Sequence, residues 1–185
     1  GALSGHVDVA WRADQLELAI ASLDGTLNQT PFHAAGRVTN SNGIWTSDGA
    51  EIRSGPNSAQ LVMRWDGERM SGRASVAMPD LHTLIPDMNG DLTGSLEIAG
   101  TPAKPAVTAR AVIGSLQYRE WSLADAHLDV DVGADTSGRA HLTVATLGAH
   151  GTSLKDVALD ARGSGTKVVG ELGWIFAEQR GSVKL

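Results

Sequence analysis

The sequence predicts an all-β protein whose strands follow one another as a meander of antiparallel hairpins. Apolar and polar residues alternate with a period of two along most of the 185 residues, and clusters of turn-forming residues interrupt the alternation at short intervals. A period of two places successive side chains on opposite faces of a strand, so each strand has one apolar and one polar face. The predicted strand content exceeds the usual quarter of residues, and we accept the excess because the pattern persists.

The clearest alternation is in residues 127–132, where Leu128, Val130 and Val132 share one face and a histidine and two aspartates share the other. We expect the three apolar side chains to point into a shared interior and the polar ones to face water. Turn residues separate such runs, as in hairpins. The turn clusters lie at residues 41–43, 48–49, 55–56, 66–67, 133–138 and 163–165.

Two segments depart from the period of two. In residues 16–23 the apolar positions also suit one face of a helix, but the span is short and Asp24 and Gly25 follow it, which favours a strand. In residues 80–88 the spacing of Leu81, Leu84 and Ile85 is helical. We therefore expect one short helical segment near 80–88, kept short by Pro86.

Composition excludes several classes of protein. The net charge is −6 and the 15 lysines and arginines are scattered, which argues against nucleic-acid binding. Apolar residues make up 42% of the chain and aromatic residues only 4%, so we expect a folded protein with an aliphatic interior. The sequence has no cysteine and no apolar run near the roughly 20 residues that a membrane-spanning helix needs.

The sequence contains no local motif typical of catalysis or metal binding. The six histidines have neither HxH nor HExxH spacing, and Asp129, Asp131 and Asp135 lack the ligand order of a calcium loop. The glycines near Lys167 do not follow the order of a phosphate loop, and no GxSxG motif occurs. We therefore predict no metal, no cofactor and no enzymatic activity, although an enzyme on a β scaffold with a polar cleft is still an alternative.

The apolar face of the predicted strands must be shielded from water. A single sheet can cover it by curling, by packing on a second sheet, or by holding an apolar ligand. A closed β-sandwich or β-solenoid, such as a binding or adhesin module with a dry core, would alternate in the same way. The alternation of apolar and polar residues does not distinguish a curled sheet from these alternatives.

Residues 80–121 carry a family resemblance. They contain LIPDMNG at 84–90, LTGSLEIAGT at 92–101, Pro105, and LQYREW at 116–121. This order resembles the TamB family, with its leucine-proline-leucine-glycine hook, its Gly-x-Leu strand ending in Gly-Thr, its Pro-led return strand and its Leu-x-aromatic hairpin; AsmA-like periplasmic proteins carry similar repeats. Residues 79–185 match best, with 122–185 similar to the family's C-terminal region, whereas residues 1–78 match in general character.

The resemblance implies an elongated antiparallel sheet curled into a taco-like groove, polar outside and apolar within, and residues 1–185 as a single segment of a longer repetitive β-groove protein. It also implies a full-length protein that is anchored in the inner membrane of a Gram-negative bacterium, spans the periplasm and pairs with the outer-membrane barrel subunit TamA. The implied clients are phospholipids and outer-membrane proteins such as autotransporters. Unpaired edge strands of the segment could also associate with a second copy.

The residues predicted to line this groove, in contact with lipid or client, are the apolar positions of the alternating runs. They are Val7, Val9, Leu16, Leu18, Ile20, Leu61, Met63, Val76, Leu92, Leu96, Ile98, Leu128, Val130, Val132, Leu142, Val144 and Leu172.

Overall fold

The computed structural model describes residues 3–12, 15–165 and 167–184. Strands make up 81% of it, and they form one open, curled antiparallel sheet of 14 strands. The all-β, curled-sheet prediction is confirmed. The strands are β1 (Leu3–Arg12), β2 (Gln15–Leu27), β3 (Thr30–Ser41), β4 (Ile44–Ser54), β5 (Asn57–Trp65), β6 (Met70–Met78), β7 (Met88–Gly90), β8 (Leu92–Thr101), β9 (Lys104–Tyr118), β10 (Trp121–Val132), β11 (Ser137–Ala149), β12 (Thr152–Ser164), β13 (Lys167–Phe176) and β14 (Gln179–Lys184).

The sheet is a meander in which strands that are neighbours in the chain are hydrogen-bonded neighbours, apart from the β7 and β8 region. Strands β7 and β8 both pair with β9, so they act as one strand interrupted at Asp91. The Asp91 carboxylate accepts hydrogen bonds from the backbone N–H groups of Gly114 and Ser115, each at 3.0 Å. A Cβ at Gly90, whose φ is +142°, would collide with the backbone of Ser115, which makes glycine necessary there.

Tight turns connect the strands, and their residues suit the backbone. Asn42 and Gly43 have φ of 53° and 80°, and His150 and Gly151 have 49° and 77°. Positive φ at both central residues is typical of type I′ hairpin turns, whose twist matches that of the flanking strands. Successive turns lie alternately at the two ends of the sheet. We call one end the hook end; it carries the turns at 28–29, 55–56, 119–120 and 150–151 and the connection at 79–87. The opposite end, with the turns at 42–43, 66–69 and 102–103, is the mouth end.

Bulges shift the phase of the alternation within several strands. In β2 the register changes between Ile20 and Leu23, so that both side chains lie on the same face although they are three residues apart. This bulge explains the helix-like spacing in residues 16–23. The strand interpretation of that segment is confirmed.

The only helical segment among the described residues is one 3₁₀ turn at Leu81–Thr83, shorter than the expected 80–88. The Asp80 side chain caps it by accepting from the N–H of His82 at 3.1 Å. The helix cannot continue, because Pro86 lacks an N–H and Asp87 has a φ of 70°. We call residues 79–87, between β6 and β7, the hook.

Little of the sheet is covered by other parts of the chain. The accessible surface is 12184 Å², compared with about 8,500 Å² expected for a compact protein of 19.3 kDa. Only Leu81, Ala126, Val144 and Val157 are buried apolar residues among those described. A single open sheet excludes the closed sandwich or solenoid. No helix in the described part of the chain is long and apolar enough to cross a membrane.

Candidate functional site

Three parallel rows of apolar side chains cross one face of the sheet. The strand register aligns each row, because directly opposed residues on neighbouring strands point to the same face. The Leu128 row runs from β1 to β14 without a polar side chain: Gly5, Leu23, Ala34, Ile52, Ala59, Val76, Gly94, Ala111, Leu128, Leu142, Leu159, Leu172 and Val183.

The other two rows lie toward the mouth end. The Val130 row comprises Ala50, Leu61, Ala74, Leu96, Ala109, Val130, Ala140, Ala161 and Gly170, with Val7, Ile20 and Gly36 aligned beyond it. The Val132 row comprises Val9, Leu18, Val38, Ser47, Met63, Gly72, Ile98, Val107, Val132, Gly138, Gly163 and Val168. We call the face that carries the three rows the groove face.

The structure places all the predicted lining residues on the groove face. Most belong to the three rows; Leu16 is aligned with Trp11, Leu92 with Met78, and Val144 with Ala126. Their exposure differs, from 4% for Val144 to 66% for Val9. Their contact with a lipid or client stays a prediction.

The opposite face is polar in the same systematic way. The row next to the Leu128 row consists of Glu51, Gln60, Ser75, Ser95, Arg110, Asp129, His141, Asp160, Glu171 and Lys184. Opposed residues of this face form exposed ion pairs, with 3.2 Å between Arg110 and Asp129. Each such pair contributes at most about 1 kcal/mol. Together the pairs favour the strand register that aligns opposite charges, and they keep this row in contact with water.

Near the hook end the groove face is covered by the protein itself. Asn57 lies on the groove face and is only 2% exposed, because the hook folds over it. Its side-chain amide donates to the Asp80 carbonyl at 2.7 Å and to the Thr83 hydroxyl at 2.6 Å, and its oxygen accepts from the Asp80 N–H at 3.1 Å. Asn28, in the β2–β3 turn, donates to the Leu84 carbonyl at 2.8 Å. The hook therefore reaches across the end of the sheet from β6 to the β2–β3 turn.

A leucine cluster fills the hook end of the other half of the groove face. Ala126, Val144 and Val157 are buried there, and partly buried leucines of β10, β11 and β12 pack against them. These leucines, Leu123, Leu147 and Leu154, are out of phase with Leu128. Positive φ at Asp125 and Asp156 changes the direction of the backbone between the two sets.

The ionisable groups with shifted pKa values lie outside the groove. Backbone N–H groups of Arg69 and Glu68 donate to Asp66 and lower its pKa, and the hydroxyl and N–H of Ser137 do the same to the pKa of Asp135. A hydrogen bond from His33 lowers the pKa of Asp24. These contacts stabilise turns and the outer face. Within the described residues, no group of three or more histidines and carboxylates is arranged to hold a metal ion.

The alternation alone did not identify the hook contacts or the leucine cluster. Asn57 meets Thr83 across 26 positions of sequence, and no local pattern marks that pairing. For the leucine cluster a signal existed, because Leu147 and Leu154 flank the turn at His150 and Gly151 symmetrically.

Comparison with known proteins matches this groove-forming chain to one family. The family model described as "TamB, N-terminal domain" matches residues 1–167. The match includes residues 1–78, which resembled the family only in general character. It also corrects the interpretation of residues 122–167, which we expected to correspond to the family's C-terminal region. No solved structure matches the chain. Because the matched residues cover most of its length, the chain belongs to the TamB family.

Proposed function

We propose that this chain is a periplasmic segment of a TamB-like translocation and assembly module subunit, and that its groove shields phospholipid acyl chains from water between the inner and outer membranes. The observation that carries the proposal is the Leu128 row, which crosses the open sheet from β1 to β14 without a polar side chain. Covering such a surface with hydrocarbon is favourable by about 25 cal/mol per Å².

Acyl chains suit the groove better than a polypeptide does. Backbone N–H and C=O groups must find partners when they leave water, and inside the groove the backbone groups of the sheet are already paired within the sheet. The three rows offer almost no polar side chain in compensation, with Ser47 as the exception. An acyl chain has no hydrogen-bonding groups, so it leaves none unpaired when it enters the groove.

A second candidate client, an amphipathic segment of an outer-membrane protein such as an autotransporter, is favoured by the sheet edges. Among the strands that the structure describes, β1 and β14 each have one neighbour, and an outer edge of this kind can accept an added strand. A second copy of the chain could pair with the same edges. In the full-length, inner-membrane-anchored protein, we place TamA as the outer-membrane partner.

The groove acts passively in this proposal. It lowers the free energy of hydrocarbon that would otherwise contact water, and no side chain forms or breaks a covalent bond. We expect neither enzymatic turnover nor a cofactor requirement.

The test is site-specific photo-crosslinking in cells. A photoreactive residue at Leu96, Val130 or Leu172, all on the groove face, should capture phospholipid, and matched probes at Glu97 or Asp131, on the outer face, should not. Replacing the three groove residues by Arg should abolish capture in a chain that stays folded by circular dichroism. Capture from the outer positions alone would contradict the proposal.

A further inference from the structure

Two buried hydroxyl groups on the groove face have no hydrogen-bond partner in the described part of the chain. They are the Oγ atoms of Ser47 and Ser54, and the two residues are 4% and 2% exposed. An unpaired hydroxyl that is shielded from water costs free energy, and buried polar groups in native proteins nearly always have partners. Each of these hydroxyls therefore calls for an explanation, either a role in the fold or a ligand.

The two serines lie at different places on β4. Ser54 is directly opposed to Asn57, which the hook covers, so its hydroxyl lies beneath another part of the chain. Ser47 belongs to the Val132 row and is opposed to Val38 and Met63. It lies roughly 20 Å along the strand from Ser54, at about 3.3 Å per residue, on the side of the mouth end. Among the described residues, the groups that hide Ser47 are thus side chains of the sheet itself.

A bulge in β4 turns Ser47 into the groove. The register between β4 and β5 shifts between Ser47 and Ala50, and Gly49 in the bulge has a φ of 72°. Counted back from Ala50, strict alternation would place Ser47 on the polar face. The extra residue of the bulge brings both onto the groove face. The local backbone therefore holds a hydroxyl among apolar side chains.

The side chain opposed to Ser47 on β5 is flexible and partly exposed. Met63 is 45% exposed, and a methionine side chain has three rotatable bonds. On its other side Met63 is opposed to Gly72, and its Cγ lies 3.7 Å from the position that a Cβ of Gly72 would take. Because Gly72 has no side chain, Met63 can shift in that direction and admit a ligand to the hydroxyl of Ser47.

The groups next to Ser47 toward the mouth end are hydrogen-bond donors. Trp45 lies two residues before Ser47 on the same face and is opposed to Trp65 and Asn40. The Asn40 side-chain oxygen accepts from the N–H of Gly43 at 3.2 Å, which leaves its amide NH₂ group as a donor. Indole rings contribute N–H donors in the same way. The site therefore presents donors in apolar surroundings, which suits an uncharged acceptor.

An acyl-ester carbonyl has the chemistry that this site fits. It accepts hydrogen bonds, carries no charge, and in a phospholipid is attached to the hydrocarbon chain. Resting on the proposed function, we infer that Ser47 donates a hydrogen bond to an ester carbonyl of the bound lipid, and that the groove therefore selects ester-linked over ether-linked lipids. An ether-linked chain has no carbonyl oxygen, so it leaves the hydroxyl of Ser47 unpaired.

Two lipids that differ in this carbonyl test the inference on the purified chain. Dioctanoyl phosphatidylcholine and its dioctyl ether analogue have the same head group and chain length, and calorimetry measures their affinities. We expect the ester to bind about fivefold more tightly, a difference of about 1 kcal/mol, and Ser47→Ala to bind the two equally. Equal affinities in the unaltered chain, or a preference that survives Ser47→Ala, would overturn the inference but leave lipid binding standing. If neither lipid binds, the proposed function itself fails.

The second serine provides the matched control. Ser54→Ala removes the other unpaired hydroxyl, beneath the hook, and should keep the preference for the ester. Equal loss of the preference in both variants would overturn the assignment to Ser47. Because Ser47→Ala removes a buried polar group without a partner, its urea midpoint should not fall. A lower midpoint would show that the hydroxyl has a partner within the protein, which would also overturn the inference.

Discussion

At the scale of single residues, the side chains of each strand meet two different environments. Val130 lies half-buried between Ala109 and Ala140 of the neighbouring strands, whereas Asp131, next in sequence, is exposed and 3.2 Å from Arg139. Because the period is two, the environment of one residue fixes that of its neighbours. The assignment of Leu128, Val130 and Val132 to one face and of Asp129 and Asp131 to the other was therefore accessible from sequence.

Substitutions on the two faces should differ in their effect on stability. Val144→Asp buries an unpaired charge at a 4% exposed site and should lower the free energy of unfolding by about 3 kcal/mol or more. Val130→Asp, at a half-buried site, should cost about 2 kcal/mol, and Asp131→Asn less than about 1 kcal/mol because its ion pair is exposed. Urea midpoints measure this order. Equal midpoints for Val130→Asp and Asp131→Asn would contradict the register.

Two turns should weaken in acid. The pKa values of Asp66 and Asp135 are below the usual 3.8, because the N–H groups of Arg69 and Glu68 donate to Asp66 and the hydroxyl and N–H of Ser137 donate to Asp135. A carboxyl group with a lowered pKa stabilises the fold above its unfolded pKa, and this contribution is lost as the pH falls from 3.8 through the folded pKa. We expect faster amide exchange at Arg69 and Ser137, relative to the intrinsic rate, as the pH falls through this range.

The asparagine variants are the controls for that measurement. Asp66→Asn and Asp135→Asn keep an oxygen acceptor but cannot titrate, so the relative protection of the same amides should no longer depend on pH. An unchanged acid dependence in these variants would assign the effect to other groups.

At the scale of elements, the sequence predicted the strands, but of the hook it predicted only a short helical segment and none of its contacts. Helical spacing at Leu81, Leu84 and Ile85 predicted a helical segment, but only Leu81 is buried, and Ile85 is 44% exposed. What holds the hook is hydrogen bonding by Asn28, in the β2–β3 turn, and by Asn57, at the start of β5, which lie 56 and 23 positions from their partners in the hook. Periodicity describes contacts within an element, so it carries no information about such distant pairings.

Removing the central hook contact should release the hook without unfolding the sheet. Asn57→Ala deletes a buried side chain with three hydrogen-bond contacts to the hook, and we expect a loss of about 1–3 kcal/mol in stability. Hydrogen exchange should rise at residues 81–85. Asn28→Ala deletes one exposed contact and should cost less than about 1 kcal/mol. If both variants left exchange at Leu84 and Ile85 unchanged, the hook would be held by something else.

At the scale of the whole molecule, the sheet leaves its apolar face largely uncovered. Among the described residues no apolar side chain is fully buried, since the least exposed, Ala126 and Val144, each keep 4% exposure, and the surface exceeds that of a compact protein of the same mass. The sequence pattern alone could not choose between a curled sheet and a closed sandwich, since both alternate. The choice depends on strand order, which is set by the hairpin turns and by the pairing of β7 and β8 with β9.

The most direct measurement of the central claim is lipid analysis of the purified chain by mass spectrometry, before and after exchange into lipid-free buffer. The account predicts that phospholipid copurifies at a defined stoichiometry, rebinds after removal, and is lost in a folded variant with Leu96→Arg and Val130→Arg. A folded chain that purifies without lipid and does not take it up from phosphatidylglycerol vesicles would contradict the account.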